Sequence, residues 1–331
     1  MDLITRIIAS LKTYIRGIAL PGEEPLWIVT PMMVVTASAV GLVCDLAAAQ
    51  LIWSSQRAWL YSLFVPLFAL GQSALWYLYM VGHHAVHRAV SKRRWVNSFI
   101  AETTSIVCLA HPPSFYRQRH LVEHHHPKRL ATILDPDYRW LKRLGFSQGQ
   151  QLEQYELLLC RIIFSPTFYL KTLISRVRGH LIQDPLAQRA ALIIWWAILM
   201  ATAATFHLWA ALVMYALLVI VAFPFSALLQ SATEHVWTSK EQPQLKTHPR
   251  LLPIDANPHL FLVYLYWRMA VLTTDLCQHQ IHHSNKPINK FSWPMAAYSA
   301  DARADLPRAV WGIRNHFRAS FAILAKAPPA N

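Results

Sequence analysis

The chain contains little cysteine. Its four cysteines, at positions 44, 108, 160 and 277, are widely separated, and no two of them form a C-x2-C pair. Disulfide frameworks, zinc ribbons and iron–sulfur clusters depend on several thiols brought together at short spacing. The sequence therefore gives no support to any of these three kinds of site.

Acidic residues are also scarce. The chain has 17 Asp and Glu against 31 Lys and Arg, which gives a formal net charge of +14. Such a charge can indicate nucleic-acid binding, but here the basic residues lie in blocks between apolar runs, and 54% of the residues are hydrophobic. This pattern is typical of an integral membrane protein with basic cytoplasmic loops. We expect a membrane protein and no nucleic-acid partner.

Four apolar runs are long enough to cross a bilayer, which needs about 20 helical residues. They predict an all-α integral membrane protein with four transmembrane helices in two hairpins, at roughly Leu26–Leu46, Trp59–Val81, Ala190–Phe206 with Leu208, and Trp209–Leu229. A shorter run, Phe99–Ala110, contains polar residues and predicts a re-entrant or interfacial helix. Lys and Arg beside the spans place both termini and the long middle segment on the cytoplasmic side.

The N-terminal residues 1–25 predict a basic amphipathic helix that lies in the membrane interface. Apolar residues stand at 4, 7, 8, 11, 15 and 18, with cations between them. A signal peptide is the competing interpretation, but basic residues interrupt the apolar run. We expect two further regions, a membrane domain over 26–290 and a cytosolic C-terminal segment over 291–331.

Nine histidines form four clusters, and this is the most informative feature of the chain. They are His83 and His87; His120, His124 and His125; His235; and His279, His282 and His283. Imidazole is the commonest protein ligand for transition metals, and nine of them are enough for the inner shells of two ions. All four clusters lie on the predicted cytoplasmic side. The neighbouring His84 and His126 are alternatives to members of the first two clusters.

Helical spacing gives expectations for how these residues are arranged. On an α-helix His120 and His124 face one way and His125 lies about 100° further round. Asp275, four residues before His279, is placed to accept the second N–H of that imidazole. Three acids are therefore candidates for supporting the metal ligands, although all of them could instead be solvated: Asp275, Glu123 and Glu234.

The histidine motifs resemble those of the membrane-bound fatty acid desaturase and hydroxylase superfamily. They are HHAVH at 83–87, HLVEHH at 120–125 and HQIHH at 279–283, with EH at 234–235 and two hydrophobic hairpins between the boxes. The resemblance covers roughly residues 26–290, and DPD at 135–137 is similar to the desaturase branch. It implies a cytosolic helical cap that holds two iron ions (Fe2+/Fe3+), with O2 as co-substrate and a fatty acyl or lipid chain as substrate.

The resemblance leaves the reaction open between fatty acid desaturation, alkane-type hydroxylation, and decarboxylation to a terminal alkene. The substrate could be a free acid, an acyl-CoA, an acyl-carrier protein or a phospholipid. An external electron donor such as ferredoxin, rubredoxin or cytochrome b5 with a reductase is implied. Ser231, four residues before His235, stands where animal acyl-CoA desaturases have an Asn. The water-bridged contact of that Asn therefore cannot be assigned to this chain.

Two other classes of protein compete with the enzyme. A metal transporter would need polar or acidic groups near mid-bilayer, and the one candidate is Asp45, towards the outer end of the first predicted span. A bis-histidine haem protein would need paired histidines inside the spans. Both are weaker predictions than a diiron oxidoreductase.

Overall fold

The computed structural model describes residues 2–239, 247–283 and 294–328. These residues form two compact units. The span unit comprises Thr30–Tyr116 and Pro166–Ser226, and the histidine unit comprises Met1–Val29, Arg117–Ser165 and Ala227–Asn331.

The described chain is mostly helical. In chain order the α-helices are α1 Leu3–Arg16, α2 Pro31–Ser55, α3 Phe64–Val86, α4 Arg94–Val107, α5 Pro113–Arg117, α6 Pro136–Arg143, α7 Leu152–Ile163, α8 Pro166–Gln183, α9 Leu186–Phe206, α10 Trp209–Leu217, α11 Phe223–Thr233, α12 Phe261–Ala270, α13 His279–His282, α14 Ala300–Ala304 and α15 Ile313–Ala325. Two wider, π-helical segments are Gln118–His124 and Leu218–Ala222. Short 3-10 turns are Ala58–Leu63, Pro258–Leu260, Leu276–Gln278, Pro294–Tyr298 and Leu306–Arg308. Two short strands, β1 Arg250–Leu251 and β2 Val310–Trp311, pair in parallel.

Among the described residues, four helical segments are long and apolar enough to span a membrane, as predicted. They are Pro31–Ser55, Ala58–Val86, Leu186–Phe206 and Trp209–Thr233, and the number rises to five if α7 and α8 are counted together. The first of these helices, α2, begins and ends later than the first predicted span. Thr30 caps its start and Pro31 lies in its first turn. Asp45 therefore lies near the middle of α2 and not towards its end, and the prediction for this residue was wrong.

Glycine allows the helices of the span unit to pack closely. A Cβ atom on Gly82 of α3 would lie 2.1 Å from Thr104 Oγ1 of α4, so only glycine fits there. The run predicted as a short re-entrant or interfacial helix forms α4, and its polar residues Thr104 and Ser105 are buried in this packing.

A buried histidine connects α8 to the loop that follows α4. His180 Nδ1 lies 2.6 Å from an Asp184 carboxylate oxygen, and its Nε2 lies 2.8 Å from the carbonyl oxygen of Ala110. Because a carbonyl oxygen only accepts hydrogen bonds, Nε2 carries a proton. This connection fixes the chain that leads into α5, beside the first histidine cluster.

The N-terminal helix α1 is amphipathic, as predicted, but its two ends differ. Leu3, Ile4 and Ile7 are exposed, whereas the last turn is buried in the histidine unit. Arg16, predicted as an interfacial cation, is 2% exposed and pairs with Glu23 at 2.9 Å and with Asp255 at 2.6 Å. Two carboxylates compensate the buried guanidinium, so this end of α1 is anchored in the protein.

The C-terminal segment also lies within the histidine unit. Strand β2 pairs with β1, and the backbone N–H of Trp237 donates to the carbonyl oxygen of Ser320 on α15 at 2.8 Å. Arg314 and Arg318 of α15 both donate to the Glu156 carboxylate of α7. These contacts fix the chain that follows His235.

Candidate metal centre

The second histidine cluster lies on the π-helical segment Gln118–His124. The His125 N–H donates to the carbonyl oxygen of His120 at 2.9 Å, five residues earlier. This wider turn brings the two side chains together, with their Nε2 atoms 3.2 Å apart. The expected position of His125, about 100° further round than His124, assumed an α-helix, whereas this segment is π-helical.

Four histidines from three separate segments meet in the histidine unit. One ligand atom each from His124, His235, His279 and His283 lies within 4.8 Å of the others. The first three are buried, and the Nε2 atoms of His279 and His283 are 2.9 Å apart. Ligands of one tetrahedral ion at about 2.1 Å are about 3.4 Å apart, so these side chains need only small shifts to hold a common ion.

Asp135 holds the His124 ring. Its carboxylate oxygens lie 2.9 and 3.0 Å from His124 Nδ1, and they also accept the backbone N–H groups of Ala131 and Asp137, each at 2.8 Å. Both side chains are buried. Because Nδ1 faces the carboxylate, Nε2 is the nitrogen directed away from it, as in many metal-binding histidines.

The electrostatics of the cluster separate His124 from the other imidazoles. Burial alone would lower the pKa of His124, but Asp135 and Asp137 overcome this effect and raise it to about 9. Burial and neighbouring histidines hold the pKa of His279 and His283 well below the usual range. These two rings are neutral near pH 7, the form in which imidazole binds a metal.

His282 lies beside His120 and His125 of the second histidine cluster. Its ring centroid is 5.1 Å from that of His125 and 6.1 Å from that of His120. The Asp275 carboxylate lies 3.5 Å from His282 Nδ1, whereas His279 Nδ1 has no hydrogen-bond partner among the described residues. A 3-10 turn over Leu276–Gln278 interrupts the helical spacing between Asp275 and His279, and the supporting role of Asp275 stays a prediction.

The two glutamates occupy different environments. Glu123 pairs with Arg139 at 2.6 Å, on the outer side of the segment. Glu234 is buried, with its carboxylate oxygens 3.8 Å from His235 Nε2 and 3.7 Å from His279 Nε2. Burial and the nearby Asp137 raise the pKa of Glu234 to about 7. Of the two, only Glu234 lies among the clustered imidazoles.

The first cluster lies at the end of α3 in the span unit. His83 and His84 are buried, and the ring centroids of His83 and His87 are 4.9 Å apart. The phenol oxygen of Tyr116 lies 2.7 Å from His83 Nδ1. Tyr116 thus stands at the same ring nitrogen of His83 that Asp135 occupies on His124.

His126, the predicted substitute in the second cluster, lies outside it. Its side chain is exposed, and its Nδ1 accepts the backbone N–H of Lys128 at 3.2 Å. Of His125 and His126, only His125 lies close to the other clustered histidines in the described structure.

The family model of fatty acid desaturases matches residues 57–286, more than half of the chain. The chain belongs to the fatty acid desaturase family. No curated protein and no solved structure matches it. The family match includes all four histidine clusters, so the imidazole-rich centre of this desaturase-family protein lies within the matched region.

The donor chemistry of this desaturase-family centre fits a transition metal. Buried imidazoles without thiolates suit iron, and copper, nickel and zinc also accept such ligands. Sequence reasoning missed Asp135 and Tyr116 as partners of ring nitrogens. The DPD motif at 135–137 was visible, but Asp135 is 11 residues from His124, and no local spacing rule connects them.

Proposed function

We propose that this protein is an O2-dependent diiron oxidoreductase that acts on a fatty acyl or lipid chain as a fatty acid desaturase. The observation that carries the proposal is the buried cluster of His124, His235, His279 and His283 in a chain of the desaturase family. Iron with O2 supplies the oxidising power that removal of hydrogen from an unactivated methylene requires, which acid–base side chains lack.

The chain's own residues hold and orient the metal. We propose that all nine predicted histidines are ligands of two iron ions, with His83 and His87 among them. Asp135 accepts the Nδ1–H of His124 and so fixes which nitrogen faces the ion. His279 and His283 are neutral, which keeps their lone pairs available for metal at neutral pH.

We further propose a multi-pass membrane protein with both termini and the histidine clusters on the cytoplasmic side. The four apolar helices and the blocks of Lys and Arg beside them support this orientation. The substrate chain then comes from the bilayer. Electrons come from a separate donor protein of the ferredoxin, rubredoxin or cytochrome b5 type.

Metal content tests the centre. Purified protein is expected to contain close to two irons, and His124→Ala is expected to lose iron together with O2-dependent turnover. His126→Ala is the matched control, because His126 lies just after His124 in the sequence but is exposed. Full iron content and full activity in His124→Ala would overturn the proposal.

Product analysis tests the reaction. Lipids from cells that express the chain, compared by mass spectrometry with lipids from cells that express His124→Ala, are expected to show loss of two hydrogens. Gain of one oxygen would identify a hydroxylase, and loss of the carboxyl carbon would identify a decarboxylase that forms terminal alkenes. Either result would replace desaturation as the assigned activity.

A further inference from the structure

The Glu234 carboxylate faces the metal-binding side of the imidazoles. It lies at the end of α11, is 4% exposed, and accepts a hydrogen bond from Gln230 Nε2 at 2.7 Å. Its two oxygens point to different rings, one to His235 Nε2 at 3.8 Å and the other to His279 Nε2 at 3.7 Å. A side chain that only filled space here would not need a charge.

These distances do not suit hydrogen bonds, but they do suit ligands of a shared ion. Protein hydrogen bonds between nitrogen and oxygen are about 2.7–3.2 Å long. Two ligand atoms bound at about 2.1 Å to one ion lie about 3.0–4.2 Å apart, depending on the angle between them. Both distances from Glu234 fall in the second range.

Asp135 shows what a supporting carboxylate looks like in the same protein. It lies at Nδ1 of His124, the nitrogen away from the centre, within hydrogen-bond distance. Glu234 instead lies beside Nε2 atoms, and Nε2 of His279 is the nitrogen that approaches His283 at 2.9 Å. Asp135 therefore lies beside a Nδ1 atom, whereas Glu234 lies beside two Nε2 atoms.

We propose that Glu234 is itself a metal ligand and supplies one carboxylate oxygen to the ion held by His124, His235, His279 and His283. The inference rests on the proposed function and deepens it, since the centre then has a mixed nitrogen and oxygen donor set. An anionic oxygen ligand stabilises the higher charge of ferric iron relative to ferrous iron. Glu234→Gln is therefore expected to raise the reduction potential of the iron centre.

Cobalt substitution gives a test that does not depend on turnover. Purified full-length protein loaded with Co2+ is compared with Glu234→Gln by visible absorption and by metal affinity. Loss of the carboxylate is expected to change the d–d bands and to weaken Co2+ binding at least tenfold, the lower bound for disturbed metal-site partners. Glu123→Gln is the control, because Glu123 pairs with Arg139.

A second variant covers the case in which Glu234→Gln does not fold. In Glu234→Ala, added formate is expected to restore the wild-type cobalt spectrum by binding in place of the lost carboxylate. A cobalt spectrum in Glu234→Gln that superimposes on the wild type, or no response to formate in Glu234→Ala, would overturn the inference. Wild-type protein that binds no Co2+ and no iron would instead overturn the proposed function.

Discussion

Replacing Asp135 by Asn tests whether His124 binds metal through Nε2. Asp135 is fully buried, and its carboxylate accepts hydrogen bonds from His124 Nδ1 and from the backbone N–H groups of Ala131 and Asp137. Asn has nearly the same shape, but it is neutral, and its NH2 group cannot accept. The variant should therefore retain the turn while it loses both the charge behind His124 and one acceptor.

The expected loss follows from the role of such partners. Removing the group behind a metal-binding imidazole typically costs 10–100-fold in metal affinity, which corresponds to about 1.4–2.7 kcal/mol. Competitive titration of Co2+ or Fe2+ against a chelator measures this change. Glu123→Gln is the control, because Glu123 lies next to His124 in the sequence but pairs with Arg139. Metal affinity in Asp135→Asn equal to that of the wild type, with the protein folded, would refute the assignment of His124 as a ligand oriented by Asp135.

Two further predictions concern stability. Gly17→Ala should lower the thermal midpoint more than Gly22→Ala. Both glycines have a left-handed backbone conformation, which costs any other residue about 1–2 kcal/mol. Only at Gly17 would the new Cβ atom also lie 2.8 Å from the side chain of Cys277. Equal losses would contradict this packing. Burial and Arg250 lower the pKa of His316 in the folded protein to about 3. As the pH falls below 6.5, His316 therefore takes up a proton in the unfolded chain before it does so in the folded protein. The free energy of unfolding should fall by up to about 1.4 kcal/mol per pH unit towards pH 3. His316→Gln should flatten the decline of the thermal midpoint between pH 7 and 5, and an unchanged slope would contradict the assignment.

The membrane-spanning helices could be predicted because their signal is local. An uninterrupted apolar run of sufficient length identifies a span without knowledge of its neighbours. The ends are less predictable. Helix α2 continues to Ser55, and Gln50 near its end bonds to the carbonyl oxygen of His207 and to the backbone N–H of Ala210, both distant in sequence.

The histidine set could be predicted, but its arrangement could not. Spacing rules assume regular α-helices, and the backbone departs from one at the second cluster and again just before His279. A π-helical segment brings His120 to His125, and a 3-10 turn before α13 moves Asp275 away from His279 and towards His282. These backbone forms depend on the surrounding packing, which a local pattern does not contain.

Arg16 illustrates the same limit outside the candidate site. Its position on an amphipathic pattern predicts an exposed cation, and the first three turns of α1 agree with that pattern. The residue is nevertheless buried, because Asp255, 239 residues away in the sequence, accepts a hydrogen bond from Arg16 Nε at 2.8 Å. Burial of a charge depends on its partner, and partners this distant appear only in the folded chain.

The charges around the four clustered histidines support a cation as their common ligand. His279 and His283 are neutral, so they contribute lone pairs and no charge. The buried carboxyl groups of Asp135 and Glu234 lie beside the clustered rings, Asp135 at Nδ1 of His124 and Glu234 at Nε2 of His279. Burying a carboxylate is costly unless a positive charge lies close to it, and without a metal ion burial raises the pKa of Glu234 to about 7. A divalent ion among the Nε2 atoms would compensate both carboxylates at once, which a neutral ligand could not do.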